Sequence, residues 1–412
     1  MRAVVAVLGD IGRSPRMQYH ALALAESGAE VDLIGLAGQT PCAAVRDHPR
    51  IRLRLLRDSR LPSAGGFLPA ALWRALYQAV SLLRALAGRH PSPLLIVVQS
   101  PPAIPTLAVA WLAARLRGAR LVIDWHNLGF AMLALRLGAA HPVVRVAAWW
   151  EGVCGRRGDG HLCVSQALQR VLVERWGVAA TVLYDRPARR FAPLPPEQRE
   201  EVVRALCRRI AWEGEERPRL VVSPTSWTAD EDFALLLAAL DDCAARLRAA
   251  DAPLLVLLTG LGPLRAQYES RLPGRPGARV HARAMWLPAE DYPVVLAAAD
   301  LGLSLHRSAS GVDLPMKIAD MFGAGLPVCA LDYGACLREI VRPDDNALLF
   351  TSAAELASHL CALVRASPAS TAVLERLRAG SAAAAAERWD DAWVMHALPV
   401  LRAVDRPRRE AR

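Results

Sequence analysis

Lysine is almost missing from this chain. Of 50 Lys and Arg residues, 49 are Arg, and Lys317 is the one Lys. Asparagine is nearly as scarce, at Asn127 and Asn346 alone. Such usage fits a GC-rich genome that replaces residues wherever chemistry allows. It weakens the net charge of +10 as a statement about function and makes the three exceptions worth following. Long hydrophobic runs are also lacking: the longest apolar stretch, Ala103–Ala114, falls short of the ~20 residues needed to cross a bilayer. No C-x-x-C occurs among the eight cysteines, which are scattered singly from Cys42 to Cys361. That excludes a zinc framework and reads as free, mostly buried thiols in a reducing compartment. A secretory leader is not expected either. Met1 leads directly into Ala3–Leu8, too short for a signal sequence, so the chain is expected to open on a strand with no membrane anchor ahead of it.

What is present is the composition of a folded, multidomain protein. The 412 residues are 53% hydrophobic and 22% charged, enough for two or three domains at roughly 150 residues each. A pI near 9.7 raises nucleic acid as a partner. The arginines, however, are spread over helix faces without interleaved aromatics, and the densest run, Arg402–Arg412, reads as a solvated tail. Nucleic acid is therefore not expected. A membrane surface or a diphosphate-bearing substrate suits the charge better.

Short, continuous apolar runs recur between helical stretches: Val31–Leu36, Ile51–Leu56, Leu94–Val98, Arg120–Asp124 and Thr181–Tyr184. Continuous rather than alternating runs predict strands buried on both faces, hence a parallel sheet wrapped by helices. Proline-rich Arg186–Pro218 interrupts the rhythm and is expected to be a linker. The pattern restarts with Leu220–Val222, Leu254–Leu258, Leu301–Leu305 and Pro327–Leu331. Thr228–Glu231 is expected to form a capping box opening a helix that carries Phe233, Leu236, Leu237, Leu240 and Leu247 at helical spacing. The reading is α/β, with two doubly wound domains: residues 1–190, a linker at 191–218, residues 219–380, and a C-terminal helix and basic tail at 381–412.

Ligands in such folds sit beyond the carboxyl ends of the strands, so four loops matter. Gly9–Arg16 follows the first strand; its glycines permit close approach, and Arg13 and Arg16 could grip phosphate oxygens. Asp124-Trp-His126-Asn127 ends another strand, and Asp124, His126 or Asp10 could serve as a general base. Thr259–Leu264 offers Gly260 and Gly262 as a backbone cradle for a nucleotide. Ser308–Pro327 is the richest: Ser310 and Gly311 lead into a helix start that can seat a diphosphate. Lys317 lies one turn in to neutralise it, and Asp320 three residues on could bind ribose hydroxyls. Asp230-Glu-Asp232 has the D-x-D form of a metal motif but lies in a first helical turn, where carboxylates cap; no metal site is assigned.

Six stretches carry a resemblance spanning nearly the whole chain: VAVLGDIGRSPRMQYHALALAESG (5–28), LVIDWHNLGF (121–130), SPTSWTADEDFALLLAAL (223–240), WLPAEDYP (286–293), ADLGLSLHRSASGVDLPMKIADMFGAGLPVCA (299–330) and RWDDAW (388–393). The chain resembles nucleotide-sugar glycosyltransferases of the GT-B fold, and more narrowly the chitobiosyldiphosphodolichol β-mannosyltransferases. The resemblance implies two Rossmann-like domains facing a central cleft. It implies inverting β-1,4 transfer of mannose from GDP-mannose to lipid-linked chitobiosyl diphosphate, a step of dolichol-linked oligosaccharide assembly for N-glycosylation. No tightly bound cofactor is implied. Gly260, Gly262, Ser310, Gly311 and Lys317 would lie near the donor diphosphate, Asp320 near its ribose, and Asp10, Arg13, Asp124 and His126 near the reaction centre on the acceptor side. Lys317 and helix N–H groups would stand in for a metal at the diphosphate.

Expected partners are GDP-mannose, the lipid-linked acceptor, a membrane surface bound peripherally, and other glycosyltransferases of the same pathway. The site would be the cytosolic face of a membrane, the endoplasmic reticulum in a eukaryote. Eukaryotic members usually begin with a spanning helix, so docking here is expected on Pro101–Arg120, where Ile104, Leu107, Val109, Trp111 and Leu112 precede Arg115, Arg117 and Arg120. Two alternatives stay open: a related enzyme using another nucleotide sugar or prenyl-diphosphate acceptor, and a non-catalytic scaffold.

Overall fold

The computed structural model describes residues 1–405 apart from 59–66, 89–92, 94, 213, 215, 276, 309 and 366. Leu94, Ala309 and the basic tail 406–412 thus lie outside the described residues. The chain divides into two compact units, Met1–Tyr184 with Asp390–Arg412, and Asp185–Trp389.

The first unit alternates β1 (Arg2–Asp10), α1 (Pro15–Glu26), β2 (Glu30–Leu36), α2 (Ala43–Arg46) and β3 (Ile51–Leu56). It continues with α3 (Phe67–Ala87), β4 (Leu95–Ser100), α4 (Thr106–Arg117), β5 (Arg120–Trp125), α5 (Gly129–Leu137) and α6 (Pro142–Gly155). β6 (Gly160–Cys163), α7 (Gln166–Trp176) and β7 (Thr181–Val182) complete it. The seven strands order as β3-β2-β1-β4-β5-β6-β7, and every pairing is parallel. Central strands β1, β4 and β5 are buried almost throughout, as their continuous apolar runs require.

The second unit holds α8 (Pro196–Arg209), β8 (Arg219–Pro224), α9 (Phe233–Arg246), β9 (Leu254–Thr259), α10 (Arg265–Glu269) and β10 (Val280–Met285). α11 (Asp291–Ala298), β11 (Leu301–Ser304), α12 (Met316–Gly323), β12 (Val328–Leu331), β13 (Ala347–Phe350), α13 (Ala353–Arg365) and α14 (Pro368–Ala384) follow. Its parallel sheet orders as β10-β9-β8-β11-β12-β13. Both sheets reverse strand order beside their first strand, the doubly wound topology expected from the sequence. α15 (Trp389–Ala392), a π-turn at Trp393–Ala397 and α16 (Leu398–Asp405) then return to the first unit, where α16 covers β5 and β6.

Three local readings change. Residues 191–218 are not bare linker: Phe191 and, on α8, Val203 and Leu206 are buried in the core of the second unit. Proline supplies the start of that helix rather than a spacer, since its missing N–H costs nothing at a first turn. The expected capping box at Thr228–Glu231 does not cap either. α9 starts at Phe233, four residues later than that box would place it, with Asp232 accepting from the Leu235 N–H at 3.0 Å. Lastly, Leu107 and Val109, expected at a membrane, are buried, because α4 is the crossover between β4 and β5 and must bury a face on the sheet. Among the described residues no helix is long and apolar enough to cross a membrane.

Candidate active site

In the first unit the site grows from the carboxyl ends of β1 and β5. Asp124, fully buried at the end of β5, accepts Nε–H and Nη2–H from Arg16 at 2.7 and 2.9 Å. His20 Nε2 lies 3.0 Å and His126 Nε2 2.8 Å from the same carboxylate. Burial alone would raise the Asp124 pKa. The Arg16 charge and the two imidazoles overcome it and hold the carboxyl well below its ordinary value, so Asp124 stays ionised. Arg16 therefore cannot grip a phosphate, as the sequence suggested. It is itself buried, and its Nη1 donates to the Leu183 carbonyl at 2.8 Å.

His20 is held from both sides. The Trp393 indole N–H, which can only donate, reaches His20 Nδ1 at 3.0 Å. Nδ1 is thus an acceptor, the ring proton sits on Nε2, and His20 donates to Asp124. Burial lowers the His20 pKa despite the adjacent carboxylate, which keeps the ring neutral. By the same logic an ionised Asp124 fixes the proton of His126 on Nε2, leaving Nδ1 with its lone pair. The His126 side chain is 19% exposed, so it is the member of this cluster that a substrate can reach.

Asp10 does different work. Its carboxylate accepts from Gly12 N at 2.9 Å and from Gln39 N at 2.9 and 3.0 Å, tying the turn after β1 to the loop after β2. A Cβ on Gly12 would lie 2.2 Å from the Gln39 carbonyl, which explains the glycine without invoking a ligand. Arg13 is exposed at the end of that turn.

In the second unit Lys317 does not pair with Asp320, one turn along its own helix. Its Nζ meets Glu231 Oε1 at 2.5 Å. Glu231 is buried and also accepts from Thr225 Oγ1 and, at 2.9 Å, from Ser226 N. Beside it His306 bridges two carboxylates, Asp313 at 3.0 Å through Nε2 and Asp230 at 3.3 Å through Nδ1. Burial would lower the His306 pKa, but the two acids push it up to about 9, so the ring is charged. Asp313 in turn accepts from Ser308 and, at 3.3 Å, from Ser310, which shapes the loop into α12 around Gly311 at φ +74°.

Asp320 accepts from the Tyr292 hydroxyl at 3.4 Å. Burial raises its pKa to about 7, against the pull of Arg190. Gly260 and Gly262 are required for contact between loops: a Cβ on either would fall within 2 Å of the Thr225 or Ser226 carbonyl oxygen. Sequence reasoning missed Glu231, His306 and the bridging role of Asp230 and Asp313. Asp230 and Glu231 looked like first-turn residues, Asp313 lay in the loop before α12, and nothing local shows that β11 delivers His306 beside them.

Two such parallel-sheet units, each with its loops at the strand ends, have the architecture of the GT-B glycosyltransferases, and similarity to known proteins places the chain among them. Residues 12–184 match the family profile described as a glycosyl transferase 4-like domain, and residues 220–366 that of glycosyl transferases group 1. Solved structures agree on the fold: Anabaena HepE in complex with UDP and glucose superposes at a TM-score of 0.67, covering 98% of this chain and 99% of that one at 16% identity. The glycosyltransferase WaaG, involved in lipopolysaccharide biosynthesis, superposes at 0.63, with 98% of each chain covered and 16% identity.

Closer relatives narrow this. The chitobiosyldiphosphodolichol beta-mannosyltransferase of Mus musculus is 39% identical over 97% of this chain and 88% of its own length. That of Homo sapiens is 38% identical over 97% and 92%. The Arabidopsis thaliana protein named UDP-glycosyltransferase TURAN is 40% identical over 97% of both. The chain belongs to the chitobiosyldiphosphodolichol beta-mannosyltransferase family.

Proposed function

We propose that this protein transfers mannose, with inversion, from GDP-mannose to the distal GlcNAc of a lipid-linked chitobiosyl diphosphate. The observation carrying the reading is the near end-to-end similarity to relatives named for this acceptor and sugar. The site chemistry supports it. Inversion is one in-line displacement: the acceptor hydroxyl attacks the anomeric carbon as the bond to GDP breaks. His126 Nδ1 takes the hydroxyl proton, and Asp124 stabilises the imidazolium that forms. On the donor side, Lys317 and the N–H groups opening α12 stabilise the charge growing on the departing diphosphate, with Asp320 on the ribose. Glu231 keeps the Lys317 ammonium from swinging into solvent. The acceptor would be met at a membrane surface, in a eukaryote the cytosolic face of the endoplasmic reticulum.

The plant relative's name favours a second reading, a UDP-sugar donor. Purified protein supplied with radiolabelled GDP-mannose or UDP-glucose and a phytanyl-linked chitobiosyl diphosphate separates the two. Transfer from UDP-glucose but not GDP-mannose would overturn the reading. His126→Ala is expected to lower kcat by about 10²-fold or more while leaving GDP affinity unchanged.

A further inference from the structure

The helices on one face of the first unit leave an unusual outer surface. Strand order β3-β2-β1-β4-β5-β6 makes β3→β4, β4→β5 and β5→β6 run in one direction across the sheet, and β1→β2→β3 in the other. With right-handed crossovers, α3, α4 and the α5–α6 pair therefore share one face, while α1 and α2 take the opposite one. The contacts agree: α3 packs on α4, α4 on α6, and α6 on α5. Their inner sides are ordinary core, with Leu82 and Leu86 of α3, Ala110 and Ala113 of α4, and Ala147 of α6 all buried.

Their outer sides are apolar too. On α3, Leu72 is 73% exposed, and Trp73, Leu76, Tyr77 and Val80 surround it at helical spacing. Leu112 and Leu116 continue the surface on α4, Met132 and Leu135 on α5, and Val146 and Trp149 on α6. Among the described residues 20 large apolar side chains are exposed, and 12 of them lie between positions 67 and 157. Singly exposed apolar residues are unremarkable, but a run across four neighbouring helices is not.

Charge selects the occupant. Residues 67–157 contain ten arginines, no lysine and two acids, Asp124 and Glu151. Both acids are buried, so this stretch offers no acid of its own to solvent; two of its arginines pair with acids just outside it, Arg74 with Asp58 at 2.5 Å and Arg120 with Asp159 at 3.3 Å. A second copy docking through the same patch would bring arginines against arginines. A phospholipid surface accepts both features: an apolar layer for the leucines and tryptophans, and headgroup phosphates for the guanidinium groups. A cavity of about 510 Å³ opens on this face, with Ile104 and Met132 on its rim and Phe130, Leu133 and Arg136 in its wall. It lies beside the end of β4, where the Ser100 carbonyl accepts the His126 N–H at 2.8 Å. An isoprenoid dissolved in the bilayer would thus have an apolar route toward the candidate base.

We propose that the outer surface of α3, α4, α5 and α6 seats this protein on an anionic phospholipid bilayer. The surface argument stands on exposure and charge; only the route for the isoprenoid rests on the acceptor proposed above. The test is flotation of the full chain with phosphatidylcholine vesicles, with and without phosphatidylserine, in the absence of any substrate. Wild type should float with the anionic vesicles, less so as salt rises. The triple variant Trp73→Glu, Leu76→Glu, Val80→Glu should lose about tenfold or more of that partitioning. It should keep its melting temperature and its transfer rate to a short-chain acceptor in detergent. Trp286→Glu, an exposed site on the second unit, should float like wild type. Three outcomes would overturn the proposal: wild type that does not float, a triple variant that floats equally well, or a wild-type dimer that the triple variant dissolves. Binding to an RNA homopolymer without binding to vesicles would also overturn it. The detergent assay reads transfer independently, so failure of the surface and failure of the mannosyl-transfer reading give different results.

Discussion

A single residue can carry a rule of the whole site, and His306 does. Its ring faces Asp230 from the turn before α9 and Asp313 from the loop before α12, with the Lys317 ammonium nearby and the Tyr333 ring edge-on. The charged imidazole is therefore a clamp between two loops that are expected to touch the donor. Its folded pKa, about 9, stands above the ordinary 6.5, so the stability it supplies is complete below about pH 6.5 and is lost as pH rises through 9. At about 1.4 kcal/mol per pH unit this is on the order of 3–4 kcal/mol. In urea melts, His306→Gln should be less stable than wild type at pH 6, and the gap should close as pH is raised past 9. A gap that stays constant with pH would mean that the ring acts by packing alone. The other sequence exceptions divide at this scale. Lys317 meets a buried acid, whereas the Asn346 side chain accepts the Arg342 N–H at 2.7 Å and donates to the Ile340 carbonyl at 3.3 Å, which folds the turn into β13.

At the scale of elements, the segment from α15 to α16 is where sequence order and spatial order part company. RWDDAW was legible as a block of resemblance and nothing more. Its Trp393 turns out to fix the tautomer of His20 and, through it, one bond to Asp124. Trp393→Phe keeps the ring but removes the N–H, leaving a buried acceptor without its donor. The expected cost is about 1–3 kcal/mol. The ring nitrogens of His20 should lose their fixed pattern in ¹⁵N spectra, and kcat should fall with donor affinity unchanged. Unaltered ¹⁵N shifts would remove Trp393 from the positioning of the site. Strands were legible where they are central. β4 and β5 follow their apolar runs to within two residues, because burial on both faces writes a continuous pattern. β10 was missed because it is an edge strand whose His281 and Arg283 alternate with apolar residues, and β6 because four residues starting at Gly160 leave little signal. Asp124 and His126 were legible as neighbours at a strand end. Arg16, His20 and Glu231 were not, since only the fold brings residues about a hundred positions apart into one cluster.

At the scale of the whole molecule, the chain enters the first unit, leaves at Tyr184, completes the second unit in one continuous stretch, and returns at Asp390. The second unit is thus an uninterrupted 185–389 segment with its own two apolar clusters, one built around Phe191, Leu220 and Phe322 and the other around Trp227, Phe233 and Phe350. The first unit is split. Without the returning segment, β5 and β6 lose the cover of α16. Val400 and Val404 there approach Gly160 so closely that a Cβ would sit 3.0 Å from each, and Trp393 is buried as well. A fragment of residues 185–389 should therefore fold cooperatively and, where the donor site is as proposed, gain thermal stability from added GDP. A fragment of residues 1–184 should be poorly folded, exposing the apolar faces of β5 and β6. Joining 390–412 to it through a long Gly/Ser linker should restore a cooperative melt. Equal melting of the 1–184 fragment with and without the C-terminal segment would show that the return is an ornament on a self-sufficient unit. The restored melt would instead make the second unit an insertion within the first, and Trp393 the point where closing the chain also completes the histidine cluster.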